Sequence, residues 1–143
     1  DGILIIARTD ARTGHGLDEA IARGQAYLGA GADIIFVESP ESVEEVRCIT
    51  REIHGPVMFN NVEGGTSPFI PRDVLQDLGV AMTIYPNALT RIMTKSAITL
   101  LQTLKDEGTT ASLLDEMLTH KELFALFDHD EWVALEKKYL GNK

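Results

Sequence analysis

The chain has 143 residues, 44% hydrophobic and 24% charged, one domain's worth of ordinary globular composition with enough apolar mass for a sizeable core. Thirteen basic against 22 acidic residues give a net charge of −9, which argues against a nucleic-acid-binding surface and makes any anion site depend on single, well-placed cations. The lone Cys48 excludes an internal disulfide framework and fits a reducing, cytoplasmic setting, and neither a run of about 18 apolar residues nor a signal-peptide pattern is present.

The chain opens at Asp1 without a methionine and runs almost at once into Ile3-Leu4-Ile5-Ile6, so it is expected to be numbered from inside a longer protein. Those four apolar residues predict a strand buried on both faces, as in a parallel sheet under helices. Arg8 and Asp10 follow at its carboxyl end, where an arginine would be costly inside a core. The strand is therefore expected to deliver Arg8 to an open cleft; the alternative is a surface loop held by an Arg8–Asp10 ion pair.

Thr13 to Gly16 read as a loop, and Leu17, Ala20, Ile21, Gly24, Tyr27 and Leu28 recur at helical spacing up to the Gly29-Ala30-Gly31 stop. Ile34 to Val37 form a second apolar strand ended by Glu38. Ser42 with Glu45 three residues on is a capping-box pattern, and Val43, Val46, Ile49 and Ile53 mark the buried stripe of the helix behind it. Cys48 lies near that stripe and reads as packing filler. After His54-Gly55-Pro56, Val57 to Phe59 predict a third strand, ended by Asn60-Asn61. A polar loop over Glu63 to Pro68 leads to a helix carrying Val74, Leu75 and Leu78. Val80 to Ile84 predict a fourth strand, ended by Tyr85-Pro86. A long helix from about Leu89 to the Gly108 stop and two helical segments, about 110–118 and 120–140, complete the chain.

Strand starts near 3, 34, 57 and 80 imply a parallel α/β sheet with right-handed crossovers. Four such units make half of an eight-fold barrel or part of an open doubly wound sheet. The barrel is favoured because Arg8 and Asp10, Glu38, Asn60 and Asn61, and Tyr85 all follow strands, where a barrel gathers them on its carboxyl-terminal face. No nucleotide-binding glycine motif follows any strand.

Arg8, and Arg91 one turn into the long helix, can each grip a carboxylate with a rigid two-point fork. Glu38 can serve as acid or base, orient an arginine or face a metal. Asn60 and Asn61 offer amides to ligand oxygens, although alternation points only one of them inward. Gly64-Gly65 could expose backbone N–H groups, or simply turn. His15, His54, His120 and His129 lack paired metal-ligand spacing, and no Ser–His–Asp or Cys–His arrangement stands out. The residues by themselves support a small, carboxylate-bearing substrate.

ARTDAR at 7–12, FVES at 36–39, PVMFNNVEGGTSP at 56–68 and YPNALTR at 85–91 resemble the isocitrate lyase/phosphoenolpyruvate mutase superfamily. Within it they are most similar to the branch of methylisocitrate and dimethylmalate lyases and the carboxyphosphonoenolpyruvate mutase-like proteins. The resemblance implies a TIM-type (β/α)8 barrel, with residues 1–108 as its second half (strands five to eight). Residues 109–143 would be a C-terminal helical segment swapped between the subunits of a homotetramer. It implies a Mg²⁺-dependent carbon–carbon lyase that cleaves a malate- or isocitrate-like acid to an α-oxo acid plus a second acid.

By the same resemblance Arg8 holds the oxo-acid carboxylate and Glu38 sits beside the substrate and the metal's water shell. Asn60, Asn61 and Val62 bind other substrate oxygens, and Arg91 binds substrate. Two departures matter. MLTHKEL places His120 where the branch has an arginine, which bears on recognition of a tricarboxylate. The family's Mg²⁺-binding acids and its K-K-C-G-H loop precede strand five and are absent from these residues. Phosphonate mutase or oxaloacetate decarboxylase chemistry on the same fold is one alternative, and a catalytically incomplete half-barrel fragment is another.

Overall fold

The computed structural model describes residues 2–141. The chain divides into two compact units, Asp1–Ile92 and Met93–Lys143. The first is a four-stranded parallel sheet in the order β1-β2-β3-β4: β1 (Ile6–Thr9), β2 (Ile34–Val37), β3 (Val57–Asn60) and β4 (Met82–Ile84). Sequential strands are spatial neighbours. The connecting helices are α1 (Ala11–His15) and α2 (Leu17–Gly29) after β1, α3 (Val43–Glu52) after β2 and α4 (Arg72–Asp77) after β3.

The sheet has two different faces, set by strand alternation. Ile35, Val37 and Val57 pack against Ala20 and Ile21 of α2 and Ile49 and Ile53 at α3. Phe59 on that same face joins Val46, Ile70, Leu75 and Leu78. This is the helix-covered side and it carries most of the core. The other face holds a smaller cluster, Ile34, Phe36 and Met58, with Ile84 against it. Gly24 sets the distance of α2 from the sheet: a Cβ there would lie 2.7 Å from Ile53 Cδ1 and 3.0 Å from Ile35 Cγ2.

Several boundaries differ from the sequence expectation for identifiable reasons. β1 starts at Ile6, where Ile34 offers a ladder partner, not at Ile3. It pairs on one side only, so Ile3, Leu4 and Ile5 are exposed rather than buried on both faces. Residues 11–15, read as largely loop, form α1: Thr9 Oγ1 accepts from Ala11 N at 3.2 Å, and the buried Ala11 anchors the turn in the core. Ser42 does cap α3, accepting from Glu45 N at 3.1 Å. The reciprocal half of the box is diverted, because the Glu45 carboxylate accepts from Glu41 N instead.

Helix α5 (Ala88–Glu107) leads from the first unit into the second, and its apolar side chains Leu89, Ile92, Met93 and Leu101 are exposed. The second unit continues with a 3-10 turn (Ala111–Glu116), α6 (His120–Leu126) and α7 (His129–Leu140). The last two, expected as one segment, are separated at Asp128, whose φ of 51° breaks the helix. Thr119 and Glu122 close a full capping box on α6. Among the described residues no helix is long and apolar enough to cross a membrane.

Candidate active site

The parallel strands deliver their last residues to one end of the sheet, and alternation then sorts them by face. Arg8 pairs in register with Phe36, and Phe36 with Met58, which puts Arg8 on the side of the Ile34–Phe36–Met58 cluster. Glu38, two residues past Phe36, and Asn60, two past Met58, continue that face. The Arg8 guanidinium stacks 5.1 Å from the Phe36 ring centroid, which fixes its direction without consuming its donors.

Arg8 holds Asp10 with both prongs of its fork, Nε to Oδ2 at 3.0 Å and Nη2 to Oδ1 at 2.7 Å. These hydrogen bonds raise the pKa of Arg8 and lower that of Asp10. The side chains are 50% and 66% exposed, so this pair is solvent-screened and exchangeable. Glu38 lies deeper. Its Oε2 is 3.6 Å from Arg8 Nη2, an ion-pair contact beyond hydrogen-bond reach, and it is buried with no hydrogen-bond partner. Asn60 Oδ1 is likewise buried and unpartnered. Two buried, unsatisfied oxygens on one face are costly unless something else completes them.

The other expected residues are arranged differently. The Asn61 side chain is fully buried and satisfied within the protein: Nδ2 donates to Ile70 O at 2.7 Å and Oδ1 accepts from Ile70 N at 3.1 Å. Tyr85 is on the Asn61 side, its hydroxyl 3.5 Å from Asn61 Nδ2, and does not join Arg8, Glu38 and Asn60. Val62 and Glu63 begin the loop that Asn61 closes. Arg91 Nη1 donates to Glu63 O at 2.9 Å and lies 3.5 Å from the Glu63 carboxylate. His120, in the second unit, starts α6 with its ring 6.0 Å from Phe124, which stacks on His129 at 4.8 Å.

Sequence reasoning passed over Arg12. It is mostly buried and grips Glu45 through Nε at 2.9 Å and Nη2 at 2.6 Å, with Glu41 2.9 Å from Nη2. The unusually acidic start of α3 was the available signal for a buried cation.

The resemblance implies a magnesium ion. Glu38 Oε2 and Asn60 Oδ1 are hard, unsatisfied oxygens and suit a cation's waters or a ligand's polar atoms. Among the described residues no group of three or more His, Cys, Asp or Glu forms a complete ligand set. The donors fit the periphery of such a site.

Comparison with known proteins establishes the family of the chain. The family model for phosphoenolpyruvate phosphomutase matches residues 1–105. The chain belongs to that family. It is 45% identical over 136 residues to 2,3-dimethylmalate lyase of Eubacterium barkeri, and 39% identical over 135 residues to 2-methylisocitrate lyase of Halalkalibacterium halodurans. These alignments cover 95% and 94% of this chain but 47% and 45% of the relatives, so the chain spans about half the length of the relatives it matches.

Solved structures give the same proportions. A crystal structure of 2,3-dimethylmalate lyase, a PEP mutase/isocitrate lyase superfamily member, superposes with a TM-score of 0.84 at 31% identity, over 95% of this chain and 48% of that one. Oxaloacetate acetylhydrolase, in complex with 3,3-difluorooxalacetate, superposes with a TM-score of 0.86 at 26% identity, over 97% of this chain and 46% of that one.

Proposed function

We propose that the chain supplies the substrate-facing half of a Mg²⁺-dependent carbon–carbon lyase, acting on a small substituted malate- or isocitrate-like acid and releasing an α-oxo acid and a second acid. The observation that carries this reading is the group of Arg8, Glu38 and Asn60 on one face at the strand ends, with two buried oxygens lacking hydrogen-bond partners. In this reading the sheet is the second half, strands five to eight, of a (β/α)8 barrel. The sequential strand order and the concentration of helices on one face support that winding.

Arg8 exchanges Asp10 for the carboxylate of the ligand, using the fork already oriented over Phe36. As the substrate hydroxyl loses its proton and the adjacent C–C bond breaks, one fragment becomes the oxo acid that Arg8 holds. Glu38 faces the reacting atoms with a free oxygen that can take or hold a proton or order water. Asn60 orients a ligand oxygen, and Asn61 and Val62 contribute by fixing the loop that follows. Arg91 exchanges Glu63 for a second carboxylate. Glu38 and Asn60 would hold the water shell of a magnesium ion, which when bound would supply positive charge to ligand oxygens.

A second reading has a specific observation behind it. The likeness to oxaloacetate acetylhydrolase shows that this half of the fold accompanies other chemistry, so decarboxylase, hydrolase or mutase activity is the alternative. The exposed Leu126, Phe127, Trp132, Tyr139 and Leu140 support a homotetramer with C-terminal helices exchanged between subunits. The experiment is to incubate the full protein carrying this chain with 2,3-dimethylmalate, 2-methylisocitrate, oxaloacetate and phosphonopyruvate, with Mg²⁺ or with EDTA. Metal-dependent release of an oxo acid from either of the first two supports the lyase. Turnover confined to oxaloacetate or phosphonopyruvate rejects it.

A further inference from the structure

We propose that Arg12 is a positioning residue for Glu38: by clamping Glu41 and Glu45 it holds Ser39 in the left-handed backbone conformation that aims the Glu38 carboxylate across the strand ends. The proposal rests on the reading that Glu38 faces the ligand. The Glu38 backbone is fixed on one side, its N donating to Thr9 O at 3.0 Å as the last rung between β1 and β2. Immediately afterwards Ser39 has φ of 58°, a region that side-chain-bearing residues rarely adopt. It also precedes Pro40, and a residue before proline is normally driven to extended backbone. The conformation therefore runs against two local preferences at once.

Such a geometry persists only when the surrounding structure over-determines it. The restraint lies just downstream. Arg12, in the first turn of α1, reaches across to Glu41 and takes Glu45 in a two-point grip. Glu45 also accepts from Glu41 N at 2.8 Å, and Ser42 caps α3. The segment from Ser39 to Ser42 is thus held between the last rung of β2 and the half-buried Arg12 guanidinium of α1. Ser39 Oγ lies 3.4 Å from Glu38 Oε1, so any relaxation of Ser39 moves the carboxylate directly. Among the described residues the ion pairs of Arg12 are with Glu41 and Glu45, not with Glu38. The effect of Arg12 on a ligand passes through the backbone.

The test is a double-mutant cycle in the full protein, using Arg12→Ala, Ser39→Gly, the pair together, and Glu38→Gln. Oxalate, a planar stand-in for the enolate of an α-oxo acid, is titrated calorimetrically in Mg²⁺, and amide exchange of Ser39, Glu41, Ser42 and Val43 is followed without ligand or metal. Arg12→Ala is expected to weaken oxalate by about tenfold and to speed exchange at Glu41 and Ser42, a coupling typical of residues in one network. Glycine adopts positive φ freely, so adding Ser39→Gly should return the affinity to within about threefold of the parent while the melting temperature stays lowered. A charge-retaining Arg12→Lys should fall between the two, and serves in place of Arg12→Ala should that variant not fold.

Arg12→Ala with lowered melting temperature and unchanged oxalate affinity would make the residue purely structural and overturn the proposal. So would a double variant as weak as Arg12→Ala alone, because the link through Ser39 would then be absent. If Glu38→Gln binds oxalate like the parent, the reading of Glu38 itself fails. That outcome is distinguishable, since it leaves the exchange response of the Arg12 variant in place.

Discussion

Replacing Asn61 by alanine separates a ligand-binding asparagine from one that holds the fold. Its side chain is fully buried and bonds both the N–H and the C=O of Ile70, at 3.1 and 2.7 Å. Truncation leaves both backbone groups in the interior without partners, next to the apolar side chains of Phe59, Leu75 and Leu78. Each orphaned group costs about 1–3 kcal/mol, so the variant should lose about 2–6 kcal/mol. At about 3–5 °C per kcal/mol for a unit of this length, that is a fall of about 6–30 °C in melting temperature. The assay is a thermal melt of the parent and the variant, run beside an oxalate titration well below the transition. Asn61→Asp should be no better, because a buried carboxylate would face the Ile70 carbonyl. A variant melting within about 2 °C of the parent while oxalate affinity drops tenfold would refute the structural assignment.

Three further outcomes follow from particular contacts. Arg8→Lys keeps the charge but not the two-point fork, and should weaken oxalate by about ten- to a hundredfold, the equivalent of one charge-assisted hydrogen bond at about 1.5–3 kcal/mol; a lowered melting temperature with unchanged affinity would return Arg8 to a structural role. The hydrogen bond from Arg12 holds the Glu45 carboxyl below its ordinary pKa, so its stabilisation is present above the unfolded carboxyl's pKa and is lost as pH falls through the lowered folded value. Melts across the acid range should show a shallower acid limb for Glu45→Gln than for the parent, and parallel limbs would exclude this contribution. Gly24→Ala should destabilise by about 1–3 kcal/mol through overpacking against Ile53 and Ile35, read as a lowered urea midpoint; an unchanged midpoint would mean that α2 shifts freely.

The repeat of apolar runs was enough to place β2 and β3, because a strand with neighbours on both sides buries every residue and leaves an unbroken apolar signature, as Ile34 to Val37 do. The same signature misled at Ile3 to Ile5. Burial there depends on a neighbour beyond β1, and no local pattern reveals whether one exists. Alternation established that Asn60 and Asn61 face opposite ways. Which one reaches the open face needed the register of β3 against β2 and β4, a non-local quantity. Ser39 was illegible for a related reason: its positive φ arises from how two connections meet in space, and of the Arg12 ion pairs only the acidic start of α3 was a local sign.

Charge balance at the strand ends carries the functional argument one step further. Arg8 is one cation serving two carboxylates, Asp10 and Glu38, and Glu38 is the more enclosed of the two. If an anionic ligand displaced Asp10 into solvent, Arg8 would still face two negative groups, the ligand and Glu38. Bringing a dianion to such a place is unfavourable without further positive charge, the more so in a chain of net charge −9. Arg91 can offset one carboxylate once it gives up Glu63. A divalent cation near the unsatisfied oxygens of Glu38 and Asn60 would supply the rest, and would turn their unmet hydrogen-bonding capacity from a cost into a binding contribution. On the proposed reading the electrostatics would favour joint binding of anion and metal over either alone. Oxalate affinity should consequently rise with Mg²⁺ concentration until the metal saturates, and a titration in EDTA that matched the one in Mg²⁺ would contradict that coupling.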